Sequence, residues 1–317
     1  MNRRDFLKHA TAAGLGAIAL AGCRTSSPSA AGPKVGRNRW SAGPVNGVEL
    51  VAARGDTPAE AVTSALAPFG GMTTFVRPGD RVLIKPNLAW ARTPDQGACT
   101  SPEVLRAVIE ACQDAGARAI VVGDHACDSA RVAFDLSGAR SVCQETGVPL
   151  VDYSSRQYYR PIKFSAGVAI HDDEAVADVL NSDVYINLPT LKHHATSEVT
   201  LALKNQMGLI RDRQRYHSAK RGGEADNLHR NIVDLATALR PTLNILDGTR
   251  ALKTNGPKGP GLVEDLGLVC VSPNICAVDA YGARLLGYDP AKIPHIVLAA
   301  QAGLGTFDLD AIAVKEV

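Results

Sequence analysis

Short apolar runs alternate with amphipathic segments along the chain from about residue 47 onward. Runs typical of buried strands cover residues 47–53, 81–85, 119–125, 148–152, 183–188, 243–248 and 266–271. Segments with apolar residues at helical spacing cover residues 57–67, 100–116, 130–146, 173–180, 227–239 and 277–286. Strands that are apolar throughout are typical of parallel sheets, which are buried on both faces. The alternation therefore predicts an α/β fold with a mostly parallel, doubly wound, Rossmann-like sheet and helices on both faces, and it leaves open a small subdomain.

The amino terminus has a different pattern, that of a targeting segment. Arg3 and Arg4 precede a small, apolar run over residues 10–21 that is too short to span a bilayer. The run ends in Leu20-Ala21-Gly22-Cys23, which resembles a lipoprotein cleavage site. These features predict a twin-arginine lipoprotein signal peptide over residues 1–22 and a lipid on Cys23. The alternative is an ordinary signal peptide followed by a chance cysteine.

This targeting segment predicts the location and the partners of the protein. We expect a periplasmic or otherwise extracytoplasmic lipoprotein. Its partners would be the twin-arginine export machinery and a membrane, to which the lipid on Cys23 would anchor it. Residues 23–46 are rich in Ser, Ala, Gly and Pro and predict a flexible tether. Residues 47–317 are left for the α/β domain.

The charge of the chain is concentrated in one segment. The formal net charge of +2 is carried by residues 1–22, so that the remaining chain is close to neutral and gives no support for binding nucleic acid. Residues 192–221, by contrast, contain seven Lys or Arg and only two Asp or Glu. Such focused charge indicates a small anionic ligand. For the portion from Arg211 to Arg215, a solvated basic surface is an equally good interpretation.

The cysteines argue against an iron–sulfur cluster. Six follow Cys23, and no Cys-x-x-Cys motif occurs, so the usual closely spaced thiolate ligands are missing. Cys112 and Cys143 lie within apolar helical patterns, where cysteine usually packs as a small hydrophobe. An oxidising compartment would permit a disulfide, and the pairs Cys270–Cys276 and Cys99–Cys127 remain open.

Polar side chains follow several of the predicted strands, and residues 187–208 are the richest such stretch. Because ligands bind outside the carboxyl ends of parallel strands, we expect these side chains to form one site. The residues predicted to bind the substrate are Lys85, Asn87, Asp124, Lys192, Asn205 and Gly256. The candidates for acid or base catalysis are His194, Lys204 and Asp247. A helix over residues 196–204 would carry Thr196, Thr200 and Lys204 on one face.

Metal chemistry is the rival interpretation of the same stretch. His193, His194 and His217 are candidate ligands for a divalent metal, and imidazole suits zinc or iron. The spacing is weak evidence, because adjacent histidines on a strand rarely bind one ion. The sequence has neither the Gly-x-Ser-x-Gly motif of serine hydrolases nor a phosphate-binding Gly-x-x-x-x-Gly-Lys loop. Residues 256–261, with three glycines, predict a loop that approaches or covers a ligand.

Several of these motifs occur together in one known family. The motifs are Val82-Leu83-Ile84-Lys85-Pro86-Asn87, Ile186-Asn187-Leu188-Pro189 with Lys192 and His194, Leu203-Lys204-Asn205 with Gly208, and Leu246-Asp247-Gly248 with Asn255-Gly256-Pro257. With them, the chain resembles domain-of-unknown-function family 362 over residues 81–287. Some relatives carry a ferredoxin-like cysteine cluster, a segment that this sequence lacks. The resemblance implies no particular reaction.

Two functions from different classes therefore follow from the sequence. The first is an exported, lipid-anchored enzyme that acts on a small carboxylate or phosphate at the carboxyl edge of the sheet. The second is a non-catalytic periplasmic module that uses the same site to bind a ligand or to handle a metal or cofactor.

Overall fold

The structure is a computed structural model that describes residues 39–217 and 227–317, with only the backbone described at residue 227. The predicted signal peptide, Cys23 and most of the predicted tether lie outside the described residues.

Twelve strands lie within the described residues. They are β1 (Leu50–Arg54), β2 (Arg81–Pro86), β3 (Ala119–Asp124), β4 (Leu150–Asp152), β5 (Tyr159–Lys163), β6 (Asp172–Val176), β7 (Val184–Leu188), β8 (Thr190–His194), β9 (Glu198–Thr200), β10 (Leu243–Leu252), β11 (Val263–Ser272) and β12 (Val314–Glu316).

The main sheet has the strand order β12-β1-β11-β10-β7-β2-β3-β4. Its half from β10 to β4 is parallel throughout, as predicted. On the other side of β10, β11 runs antiparallel to both β10 and β1. Strands β8 and β9 form a hairpin beside the second half of β10, and β5 and β6 form a separate two-stranded sheet. The prediction of a mostly parallel α/β sheet is confirmed.

Ten α-helices connect or cover the strands within the described residues. They are α1 (Pro58–Leu66), α2 (Pro102–Asp114), α3 (Ala130–Leu136), α4 (Ala139–Glu145), α5 (Ala177–Asn181), α6 (Ala202–Asn205), α7 (Arg213–His217), α8 (Asn227–Ala238), α9 (Ile275–Leu286) and α10 (Pro294–Gln301).

The sheet separates two hydrophobic cores, because successive side chains on a strand point to opposite faces. Val82 and Ile84 of β2 belong to the core under α1, α2, α3 and α4. Leu83, between them, belongs to the core under α6, α8, α9 and α10. Every apolar position of the short strand is therefore buried, which explains why its sequence is continuously apolar.

Three of the predicted elements are wrong in detail. Residues 173–180 begin as strand β6 and become helical only at α5. Residues 196–200 form no helix but the turn and second strand of the β8–β9 hairpin. Strand β10 does not end near Asp247 but continues to Leu252 with an irregularity between Gly248 and Arg250, because antiparallel pairing with β11 extends it.

The six cysteines of the described residues are free thiols. Neither of the two disulfides left open by the sequence forms. Cys112 and Cys143 are buried in the core under α2 and α4, as predicted.

Candidate functional site

A cavity of about 320 Å³ opens where strands β2 and β3 end and the β8–β9 hairpin begins. We call it the lysine pocket, because Lys85, Lys192 and Lys204 all line it. The other lining residues are Asn87, Ala89, Trp90, Asp124, His125, Cys127, His194, Thr196, Thr200, Asn205, Met207, Gly208, Arg213, His217 and Pro257. Its volume lies at the lower end of the range for small-molecule sites.

The backbone around residue 189 brings the hairpin to this edge of the sheet. Strand β7 pairs with β10 at Leu243 and Asn244, and strand β8 pairs with the same β10 further along, from Asp247. Pro189 separates the two strands, and its carbonyl accepts a hydrogen bond from the Asp247 N–H at 2.9 Å. The chain therefore leaves the centre of the sheet at β7 and returns beside the pocket as β8.

The alternation along β8 decides which of its side chains enter the pocket. Lys192 and His194 are two residues apart, so they lie on the same face of the strand, and both line the pocket. His193 lies between them, and its Nδ1 accepts a hydrogen bond from the Gly256 N–H at 3.1 Å. The structure therefore separates His193 from the other two predicted residues of this strand.

Lys85 forms a closed ion pair at the base of the pocket. Its Nζ lies 2.8 Å from Asp124 Oδ1 and donates to the carbonyl of Pro86 at 2.6 Å and to Asn205 Oδ1 at 3.0 Å. Burial lowers the pKa of Lys85, and the negative charge of Asp124 opposes that shift. All three protons of the ammonium group have partners, so Lys85 supports the site rather than offering a free donor.

Asp124 is equally well satisfied. Besides Lys85, its carboxylate accepts hydrogen bonds from the Leu88 N–H at 2.7 Å and the His125 N–H at 2.8 Å. Gly208 makes this close packing possible, because a Cβ added there would lie 2.0 Å from Asp124 Oδ1. A side chain at position 208 would therefore push the ion pair apart.

A chain of buried amides links the lysines. Asn205 Oδ1 accepts from Lys85 and from Asn87 Nδ2 at 3.1 Å, and its Nδ2 donates to Asn187 Oδ1 at 2.8 Å and to the Lys85 carbonyl at 3.2 Å. Asn87 Oδ1 in turn accepts from Lys192 Nζ at 3.0 Å. Since the Asn205 amide uses both donors and both acceptor positions, it orients its neighbours. The sequence predicts that Asn87 and Asn205 bind the substrate, and in the structure their hydrogen bonds join them to the lysines.

Lys192 has one ammonium proton without an acceptor among the described residues. Its Nζ donates to Asn87 Oδ1 and to the carbonyl of Ala98 at 2.5 Å, which accounts for two of its three protons. Burial lowers the pKa of Lys192 to about 8. Below that pH it is a fixed, buried positive charge.

Lys204 is the least satisfied basic group of the pocket. It is 7% exposed, and its only hydrogen-bond contact among the described residues is Met207 Sδ, 3.6 Å from Nζ. Burial lowers its pKa to about 7, and the positive charges of Lys192 and Arg213 add to the effect. The shift favours the neutral amine, with a free electron pair, at a lower pH than for an ordinary lysine.

The position of Lys204 follows from how helix α6 begins. Asp279 of α9 is fully buried and accepts hydrogen bonds from the N–H groups of Ala202 and Leu203 at 2.7 and 3.2 Å. A carboxylate is favourable there because the first N–H groups of a helix have no partner within the helix. Burial raises the pKa of Asp279 to about 8, and the hydrogen bonds from Ala202 and Leu203 oppose that shift by favouring the carboxylate.

His194 is held as a neutral ring. Its Nδ1 accepts hydrogen bonds from the N–H groups of Thr196 at 3.0 Å and Ser197 at 3.3 Å. Burial, together with the charge of Lys204, lowers the pKa of His194 to about 2. In a neutral ring whose Nδ1 accepts, Nε2 carries the proton. His194 is therefore a hydrogen-bond donor toward a ligand.

The structure does not bring the three candidate metal ligands together. His193 lies on the opposite face of β8, whereas the rings of His194 and His217 stack with centroids 6.3 Å apart. Histidines that bind metal usually donate a proton from their other ring nitrogen, and His194 Nδ1 instead accepts two hydrogen bonds. Within residues 39–217 and 227–317, no group of three or more His, Cys, Asp or Glu side chains is arranged to hold a metal ion.

Asp247 and Gly256 are not among the lining residues. The Asp247 carboxylate is buried and accepts from the N–H of Ser101 at 2.7 Å and from the hydroxyl of Thr249 at 2.6 Å. It lies away from the pocket because β10 continues past it instead of ending there. Gly256 binds the hairpin through its backbone, and its neighbour Pro257 is the residue of this loop that reaches the pocket.

Arg213 was not among the predicted site residues. It is the first residue of α7, and its guanidinium donates to the carbonyls of His125 at 2.7 Å and Ala126 at 3.0 Å and to Cys127 Sγ at 3.1 Å. The sequence signal was the basic stretch from Arg211 to Arg215, but the pattern did not indicate which arginine faces the site. Arg211 instead pairs with Glu174 on the surface.

Trp90 and Pro257 give the pocket an apolar wall. The ammonium group of Lys258 lies 5.7 Å from the centre of the Trp90 ring, and Arg92 Nε donates to the carbonyl of Lys258 at 3.0 Å. The glycine-rich loop is thereby held against the segment after β2, next to the pocket. The lining of the pocket therefore combines cations with an aromatic ring.

Comparison with known proteins places this fold and site in a family. The family described as domain of unknown function DUF362 matches this chain over residues 82–284. This range includes every residue named above as lining the pocket. The chain therefore belongs to the DUF362 family. It is similar to the thylakoid-associated protein sll1697 of Synechocystis sp., with 34% identity over 241 residues, or 76% of this chain and 73% of that protein. Within the part of the chain that the structure describes, no helix is long and apolar enough to cross a membrane.

Proposed function

We propose that this protein is an enzyme that acts on a small carboxylate or phosphate bound in the lysine pocket. The observation that carries the proposal is Lys204, a buried amine with no oxygen acceptor among the described residues. A buried cation is costly unless an anion pairs with it. A bound anion would supply that missing partner.

The charges around Lys204 support the same conclusion. Asp124 is the only acidic side chain among the described residues that line the pocket, and Lys85 already neutralises it. Lys192 and Arg213 remain as positive charges without a carboxylate partner in the pocket. An anionic ligand is therefore the complement of this surface.

The proposed roles follow from the protonation states. Lys192 and Arg213 hold the anionic group, and His194 donates a hydrogen bond to an oxygen of the substrate. Lys204 is the general base, because a base whose pKa lies near the working pH is the most effective. Asp247 takes no part, because its carboxylate is buried against Ser101 and Thr249.

We also propose that the protein is exported and held at a membrane by a lipid on Cys23. The twin-arginine segment and the cleavage box support this, as does the name of the cyanobacterial relative, which is thylakoid-associated. Cys23→Ala should move the protein from the membrane fraction to the soluble fraction, because one acyl chain or more is lost. Cys127→Ala is the matched control and should leave the distribution unchanged. Equal distributions for Cys23→Ala and the unaltered protein would contradict the lipid anchor.

Binding of small anions tests the proposed site. Isothermal titration calorimetry of the purified protein with inorganic phosphate, oxalate, pyruvate and lactate should detect binding by at least one of them. Lys192→Met and Lys204→Met should each weaken that binding by about tenfold or more, since the first removes a buried charge and the second removes a buried amine that an adjacent anion would favour in its charged form. Lys292→Met is the control, because Lys292 is exposed and remote from the pocket. Binding that survives both pocket substitutions, or no binding by any of the four anions, would refute the site.

A non-catalytic binding module would use the same pocket and would lose affinity in the same way. His194→Ala separates the two functions once an anion binds. In an enzyme it should abolish conversion of the bound anion, followed by nuclear magnetic resonance, and leave much of the affinity. Persistent binding of the anion with no conversion by the unaltered protein would favour the binding module.

A further inference from the structure

The lysine pocket contains one hydrogen-bond donor that the roles above do not use, beside the His194 donor that they do use. Thr200 of β9 is 5% exposed, and its hydroxyl has no hydrogen-bond partner among the described residues. His194 presents an N–H at Nε2, because its Nδ1 accepts from two backbone groups. Both residues line the pocket together with Lys204. Two donors of this kind suit an oxygen that gains negative charge during a reaction.

The pocket also contains more basic groups than an anion needs. Lys192 and Arg213 carry positive charge at neutral pH and can hold a carboxylate. Lys204 differs from them because burial and its cationic neighbours favour its neutral form. A desolvated lysine beside another cation is the arrangement that makes an amine nucleophilic.

We propose that Lys204 attacks the carbonyl carbon of a small oxo acid and forms an imine with it, while Lys192 and Arg213 hold the carboxylate of that substrate. This inference rests on the proposed function, because it assigns a substrate class to the same pocket, and it makes the Lys204 amine the nucleophile in place of the general base. An oxo acid matches the three kinds of group in the pocket. Its carboxylate fits the two cations, its carbonyl oxygen fits the donors of Thr200 and His194, and its carbonyl carbon fits the amine.

The step balances without an external oxidant or reductant. The electron pair of Lys204 Nζ forms the C–N bond, and the electrons of the C=O double bond move to the oxygen, which takes up a proton. The resulting carbinolamine loses its hydroxyl group as water, and the nitrogen loses its two original protons in the process. The two protons that the nitrogen gives up are the two that the oxygen gains, so the oxygen leaves as water while the free proton of Lys192 stays hydrogen-bonded to the carboxylate.

Reductive trapping tests the imine directly. The full chain is incubated with pyruvate or glyoxylate and sodium cyanoborohydride at neutral pH, and the modified lysine is located by peptide mass spectrometry. Modification of Lys204 should exceed that of exposed Lys292 by at least about tenfold, since the neutral amine is far more abundant at Lys204. Lys204→Arg should lose the adduct, and Lys292→Arg should retain it.

A second measurement on the unaltered protein does not depend on how the variants fold. Lactate carries the carboxylate but no carbonyl, so it should compete with pyruvate and reduce trapping at Lys204 without reacting itself. If lactate or pyruvate binds but Lys204 is not trapped, the imine is refuted and the anion site stands. If none of the tested anions binds and no adduct forms, both proposals fail. Equal modification of Lys204 and Lys292 would also refute the imine.

Discussion

Replacing Asp124 by Asn should lower the free energy of unfolding by about 3–5 kcal/mol, because it leaves the buried ammonium of Lys85 without a counter-charge. Both side chains of this pair are 2% exposed, so water cannot take over the role of the carboxylate. The substitution also places an amide N–H where the Leu88 N–H now donates. Unfolding in urea, followed by circular dichroism, measures the change.

Two further variants show whether the effect comes from the buried charge. Asp135→Asn breaks an ion pair with Arg140 at the surface, where both partners are well exposed, and should cost less than about 1 kcal/mol. Lys85→Met combined with Asp124→Asn removes both buried charges and should recover the part of the lost stability that comes from the unpaired ammonium. If Asp124→Asn costs no more than Asp135→Asn, the ion pair does not have the structural role described here.

Gly208→Ala tests the geometry of the same ion pair. The added Cβ would lie 2.0 Å from Asp124 Oδ1 and 2.9 Å from Lys85 Nζ, closer than any such contact allows. The ion pair must therefore separate, although neither charge has been removed. A loss of stability in both Gly208→Ala and Asp124→Asn would show that the geometry of the pair matters as well as its charges.

The position of the site could be predicted from the sequence because parallel strands impose it. Lys85 and Asp124 follow the apolar runs of β2 and β3, and parallel neighbours present their carboxyl ends at one edge. Only local patterns were needed: an apolar run, then a polar residue. That is why the predicted edge contains the pocket.

The β8–β9 hairpin could not be predicted in the same way. Thr196, Thr200 and Lys204 are spaced as on one face of a helix, and all three do line the pocket. They meet there because β9 folds back on β8, with Thr200 opposite Lys192. The pairing of β8 with β10 is a contact between residues more than fifty positions apart, and such tertiary contacts override local preference.

At Asp247, by contrast, the local sequence pattern predicted a strand end that the structure does not have. Asp247-Gly248 is typical of a turn at the end of a strand. In the fold, β10 continues because β11 pairs with it on the far side, and the chain accommodates Gly248 by an irregularity within the strand. The carboxylate is thereby directed to the start of α2, where it accepts from the Ser101 N–H. The Asp247 carboxylate therefore links β10 to the N-cap residue of that helix.

The arginines from Arg211 to Arg215 do not share one environment. The sequence allowed either a ligand site or a solvated basic surface for this stretch. Arg211 pairs with Glu174 at the surface, whereas Arg215 pairs with the largely buried carboxylate of Asp173. Arg213 faces the pocket because α7 begins there and directs it to the carbonyls after β3. Charge counting could identify the segment, but only the direction of the helix identifies the residue.

The titration of Lys204 should begin several pH units below that of an ordinary lysine. Burial disfavours the charged ammonium, and Lys192 and Arg213 disfavour it further, so the pKa falls from 10.5 to about 7. Because the pKa is about 7, the fraction of Lys204 present as the reactive neutral amine increases as the pH rises through 7. At neutral pH its fraction should be about a thousandfold larger than for an exposed lysine. Trace acetylation between pH 5 and 11, resolved by peptide mass spectrometry, measures the midpoint.

Each lysine is scaled to its own maximal labelling, so that limited access to the pocket does not affect the midpoint. Exposed Lys292 provides the internal reference, with a midpoint above about 10. Lys192→Met should raise the Lys204 midpoint, because a neighbouring positive charge is removed, but not to the reference value, because the burial remains. A midpoint of about 10 for Lys204 in the unaltered protein would mean that its amine is charged at neutral pH. It could then still bind an anion, but it could serve neither as the general base nor as the nucleophile proposed for this pocket.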